Sequence, residues 1–136
     1  MEESIKKSAK SLWQAIPFIA GILLLIGIIN SLLNKNFYQK VFGHGILIDS
    51  FIGALIGSIS GGSPVNSYIL GGEFLKQGVS LTAVTSFLIS WVTVGFVQVL
   101  IEGRFLGMRF AIWRNILSFI MAIFASLIIV FILRFV

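Results

Sequence analysis

The sequence predicts an all-α integral membrane protein: three full transmembrane helices plus one broken, re-entrant helical hairpin, in a single domain over residues 1–136. Three observations carry this expectation. Fifty-seven per cent of the residues are hydrophobic and only 11% are charged, where a soluble domain of this size carries about a quarter charged residues to face water. The mean hydropathy is +1.04. The few charges are also clustered, with Asp49 alone between residues 46 and 72 and none between 79 and 101.

The first span is read over residues 12–33, about 33 Å as a helix against a hydrocarbon core of about 30 Å. Before it lies a polar segment with Lys6, Lys7 and Lys10. The apolar run is too long for a signal-peptide core and lacks a small-residue cleavage site, so it reads as a retained span. Trp13 falls at the interfacial position, and Pro17 is placed in or near the first turn, where its missing N–H is tolerated. Residues 34–45 read as a polar loop with Lys35, Lys40 and His44.

Two further full spans are expected over residues 81–101 and 112–133, with a polar turn containing Glu102, Arg104, Arg109 and Arg114 nearby. The intervening stretch is different. Its apolar arms, residues 46–60 and 64–77, are each too short to cross alone. Between them Gly61 and Gly62 would end a helix, and Ser63 and Pro64 would start another. The stretch therefore reads as two half-helices, either a re-entrant hairpin or one discontinuous span, with a kinked ordinary helix as the plainer option.

Backbone that is not helical at membrane depth must be buried in protein or line a wet cavity. Ser60, Gly61, Gly62, Ser63, Pro64, Asn66 and Ser67 are therefore the first candidates for binding a substrate, since helix ends at such a break offer donors and acceptors. The competing view is that these small residues only let helices pack closely. In the third span Thr82, Ser86, Ser90 and Thr93 recur on one face, flanked by Thr85 and Gln98. They would line a polar path, bond to the broken segment, or back-bond to their own helix. Asp49 and Glu73 are candidates for proton or ion coupling, although Lys76, three residues after Glu73, makes a solvated pair the simpler reading there. The fourth span is almost wholly Ile, Leu, Phe and Ala, with Ser118 and Ser126 as interruptions, and reads as lipid-facing or structural.

Other function classes recede. The net charge is +5, but the basic residues sit at the ends of apolar segments and no basic patch interleaves with aromatics, so nucleic acid is not an expected partner. There is no cysteine and one histidine, and no nucleotide loop or paired carboxylates, so no metal, cofactor or enzymatic chemistry is called for. With three crossings, Lys6, Lys7, Lys10, Arg104, Arg109 and Arg114 share one side, against Lys35, Lys40, Lys76 and Arg134 on the other. That bias weakly favours a cytoplasmic N-terminus, and it is small enough for a chain that inserts both ways.

The stretch at residues 57–102, GSISGGSPVNSYILGGEFLKQGVSLTAVTSFLISWVTVGFVQVLIE, with its continuation GRFLGMRFAIWRNILSF, resembles the bacterial and archaeal predicted-permease family that includes organoarsenical efflux permeases. The resemblance implies a secondary permease whose two similar halves enclose a substrate path. This chain is the size of one half, so it would work as a homodimer, possibly antiparallel, or beside a second half, in a prokaryotic cell membrane. The missing cysteines depart from what a trivalent arsenical would need and point to another small solute or ion. The alternatives are a non-transporting assembly or accessory protein, and a small ion channel with a re-entrant pore loop.

Overall fold

A computed structural model of the chain describes residues 1–60 and 64–136. Its described residues are helical and contain no strand. They fall into two compact units, residues 1–34 and 35–136. Three helices are long and apolar enough to cross a membrane: Glu2–Leu32, Leu81–Phe105 and Met108–Phe135. The protein is an all-α membrane protein.

The first unit is one helix, α1 (Glu2–Leu32). The polar start is helical too, which places Pro17 inside the helix and not in its first turn. Glu2 and Glu3 favour this earlier start, since acidic side chains complement the positive end of a helix. At an interior position the proline ring removes one hydrogen bond and crowds the carbonyl of Trp13 four residues back.

The second unit holds α2 (Lys35–Phe42), α3 (Ile46–Ile59), α4 (Pro64–Lys76), α5 (Leu81–Thr93), α6 (Phe96–Phe105) and α7 (Met108–Phe135). The segment read as a polar loop is thus largely the helix α2, which meets α3 at an angle of 105°. Its aromatics explain it. Tyr38 and Phe42 lie one turn apart, are buried, and both touch the Phe74 ring, at centroid distances of 6.2 and 6.3 Å. Phe74 continues to Phe87 and Phe87 to Trp91, each at 5.3 Å, so one aromatic row ties α2, α4 and α5 together.

Helices α3 and α5 form the centre. Ser86 Oγ donates to the carbonyl of Ser50, and Ser90 Oγ to that of Ala54, each at 2.7 Å. Both partners advance by four residues, so the two helices run parallel in a constant register. The approach is close because Gly53 and Gly57 carry no side chain: a Cβ there would collide with the carbonyl oxygens of Ala83 and Phe87. This is the small-residue packing that membranes favour when apolar burial adds little between helices. Helix α4 returns into α5 through residues 77–80, with the Val79 N–H donating to Phe74 O (3.0 Å) and Ser80 Oγ accepting from Ala83 N–H (3.3 Å). Since α4 and α5 form a hairpin and α3 parallels α5, the two short arms α3 and α4 run in opposite senses.

The third span differs from the uninterrupted helix expected over 81–101. Val94 (φ −118°, ψ 104°) and Gly95 (φ −134°, ψ 130°) are extended, dividing it into α5 and α6. The β-branched run Val92, Thr93, Val94 followed by glycine is a weak helix former, which accounts for the interruption. The expected polar turn between the last two spans shrinks to Leu106 and Gly107, because α6 runs through Phe105 and α7 begins at Met108. Gly107 has φ 96°, a left-handed conformation that a side chain would strain. Helix α7 is joined to α3 by Phe51 against Phe119 (5.5 Å) and by Ser50 Oγ against Ser126 Oγ (2.8 Å).

Candidate functional site

Two helix interruptions come together in the second unit. Helix α3 ends at Ile59, with the Ser60 N–H closing on Ile56 O at 3.0 Å. Beside this end lie Val94 and Phe96 from the interruption of the third span, and Asn115 from α7. These residues border a groove of about 440 Å³ whose walls are otherwise apolar, including Phe51, Leu55, Val99, Ile116 and Phe119. The interruption lies near the middle of the 25-residue span, so by its place along the chain it belongs at membrane depth. A helix end leaves up to four N–H or four C=O groups without an intrahelical partner. Here Val94 N–H still reaches Ser90 O at 2.8 Å and Val99 N–H reaches Gly95 O at 3.1 Å. The remaining groups of the interruption need protein, water or a ligand, because lipid satisfies none of them.

Polar side chains in the groove are few. Ser58 Oγ donates to Leu55 O at 2.8 Å. Asn115 Oδ1 is buried and has no hydrogen-bond partner among the described residues. One turn from the groove, at the base of α6 and α7, Arg114 Nε lies 2.7 Å from Glu102 Oε2, and an Arg114 Nη lies 3.4 Å from Gln98 Oε1. The two ion-pair atoms are buried although their side chains are 33% and 23% exposed. The pair is close but poorly aligned for hydrogen bonding, so it acts mainly by charge neutralisation.

The residues expected to bind substrate separate into groups. Gly61, Gly62 and Ser63 lie outside the described residues. Ser60 is half-buried at the end of α3, and Pro64 is exposed at the start of α4. Asn66 and Ser67 are buried in the first turn of α4, where Ser67 Oγ donates to Pro64 O at 2.6 Å. Ser86 and Ser90 are fully buried and bond to the first arm, α3, as one of the sequence readings allowed. Thr82 is buried one turn before them. Thr85 and Thr93 back-bond to Leu81 O and Ile89 O at 2.7 and 2.8 Å. The stripe therefore serves the seam between α3 and α5, and the groove opens beyond its far end.

Asp49 is 5% exposed in the first turn of α3. Its carboxylate accepts from Ser80 Oγ and from the His44 N–H, both at 3.3 Å. It thus ties the start of α3 to the residue that caps α5. Glu73 pairs with Lys76 at 2.8 Å, and the Lys76 side chain is 74% exposed. That is a solvated pair on α4.

Sequence reasoning missed Asn115, the interruption at Val94 and Gly95, and the pair of Glu102 and Arg114. An amide just after Arg114, where the chain enters a strongly apolar span, was the available signal for Asn115. A glycine after three β-branched residues was the signal for the interruption. Ser126, read as a polar interruption of a lipid-facing or structural span, is fully buried against Ser50 and donates to Ile123 O at 2.7 Å.

Residues 3–134 match a protein family described as predicted permease. No curated protein and no solved structure matches the chain.

Proposed function

We propose, from the premise that the chain belongs to the predicted permease family and so serves membrane transport, that it is a half-size permease whose solute path runs through the groove where the two interruptions meet. The observation that carries this reading is the extended backbone of Val94 and Gly95, mid-span and beside the end of α3. Broken helices at membrane depth are where secondary transporters hold their substrates. The opposed short arms α3 and α4 are read as the two arms of a re-entrant hairpin. Ser60, Asn66 and Ser67 belong to this path in our reading, whereas Ser86 and Ser90 hold its wall together.

The groove is open on one side, and lipid is a poor neighbour for broken backbone. A second copy of the chain, inserted in the opposite sense, is proposed to cover it, with a separate second half as the other way to close the path. Asp49 is proposed as the coupling carboxylate, being the buried acid among the described residues. The location proposed is the cell membrane of a prokaryote.

The test is reconstitution into liposomes loaded with a mixture of small solutes, with retained contents read by mass spectrometry. The expected result is selective loss of one solute class, abolished by Asn66→Leu at unchanged oligomer size. Retention equal to that of empty liposomes would overturn the reading. Ohmic currents in planar bilayers far above carrier turnover would assign a channel instead, and release of a bound protein by Asn66→Leu would assign an accessory subunit.

A further inference from the structure

The chemistry of the groove narrows the solute, on the premise that the groove is the path. Among the described residues, no ionisable side chain lines it. The nearest charges, Glu102 and Arg114, neutralise each other at 2.7 Å. A charged solute would leave water for walls of phenylalanine, leucine and isoleucine with no counter-charge, which is strongly unfavourable. A wholly apolar solute fits the walls but leaves the polar atoms as they are. Of these, the Ser58 hydroxyl proton is already committed to Leu55 O. Asn115 Oδ1 is a buried acceptor with nothing donating to it among the described residues. An unsatisfied buried acceptor is costly, and a donor brought by the solute removes that cost.

We infer that the groove takes an uncharged, largely apolar small molecule with one hydrogen-bond donor, seated with that donor on the Asn115 amide oxygen. Polar sites that bind such a donor discriminate against analogues lacking it, since binding the analogue leaves the buried acceptor unpaired.

The chain has no cysteine, so Ser58→Cys places a single thiol in the groove. In lipid nanodiscs its rate of maleimide labelling reports occupancy. Four probes share one aromatic body: 2-phenylethanol, its methyl ether, phenylacetate and phenethylammonium. The alcohol is expected to slow labelling at a concentration about tenfold lower than the ether, from one hydrogen bond to a buried acceptor. The two ions are expected to leave the rate unchanged. Adding Asn115→Leu, or Asn115→Ser should the leucine variant fail to elute at the parent's size, is expected to erase the difference between alcohol and ether. Equal protection by alcohol and ether, or protection by either ion, would overturn the solute class while leaving the groove as a binding place. Protection by none of the four would overturn the inference. The solute-mixture assay then separates the cases, since transport persisting without protection moves the path elsewhere.

Discussion

Gly57 offers the sharpest perturbation of the central seam. A Cβ added there would overlap the carbonyl oxygen of Phe87 and lie 3.1 Å from the Trp91 nitrogen. Both are backbone atoms of α5, so no side chain can swing aside and the helices must separate. A shift of about 1 Å carries 2.7 Å hydrogen bonds past the distance at which they hold. Two interhelical bonds are then lost, Ser86 to Ser50 and Ser90 to Ala54. In membranes such bonds are worth about 0.6 kcal/mol on average and about 1.7 at most, giving roughly 1–3 kcal/mol for the pair. Alanine regains up to about 1 kcal/mol over glycine as a helix former, and overpacking adds a cost of about 1–3 kcal/mol. The expected net loss for Gly57→Ala is about 1–6 kcal/mol by reversible unfolding in mixed micelles. Gly72→Ala is the control, because a Cβ there meets nothing within 4 Å, and it should be neutral or slightly stabilising. Equal stability of the two variants would refute the close-packed seam.

Other expectations follow from the same geometry. Ser90→Ala should cost about 0.6–1.7 kcal/mol in the same assay, and Gly57→Ala combined with it should cost less than the sum, since both remove the bond from Ser90 to Ala54. Glu102→Gln leaves Arg114 with buried charge and should destabilise by about 1–3 kcal/mol, and the swap Glu102→Arg with Arg114→Glu should recover part of that loss. Lys76→Ala should change stability by less than about 0.5 kcal/mol, because its partner geometry is solvent-exposed. If two oppositely inserted copies form the working unit, single cysteines at positions 4, 40 and 105 should each label from both faces of intact cells. Labelling from one face only would remove that pairing.

What the sequence disclosed depended on the kind of signal. Apolar runs of bilayer length and clustered charges made the spans legible, and glycine next to serine and proline made the ends of α3 and α4 legible to within a residue or so. Local signals beneath that scale were lost in the surrounding hydrophobicity. The helix α2 hid because its polar residues looked like loop, while Tyr38 and Phe42 gained their meaning only from Phe74, more than thirty residues away. The interruption at Val94 and Gly95 hid because Trp91, Val92, Phe96 and Val97 beside it are apolar and the span as a whole stays strongly hydrophobic. The hydroxyl stripe was legible as a stripe, but its partners are carbonyls of α3, and carbonyls carry no sequence signature. Asn115 became a candidate only once α3, α6 and α7 were seen around one groove.

Water access at the middle of the third span tests the account most directly. In the cysteine-free chain, Phe96→Cys sits at the interruption and on the groove, and Phe124→Cys sits on an exposed face of α7 deep in an unbroken span. A membrane-impermeant thiol reagent applied to the protein in sealed vesicles is expected to label position 96 and to leave position 124 unmodified. Labelling at neither position, or at both at the same rate, would contradict a wet path enclosed at the broken helices.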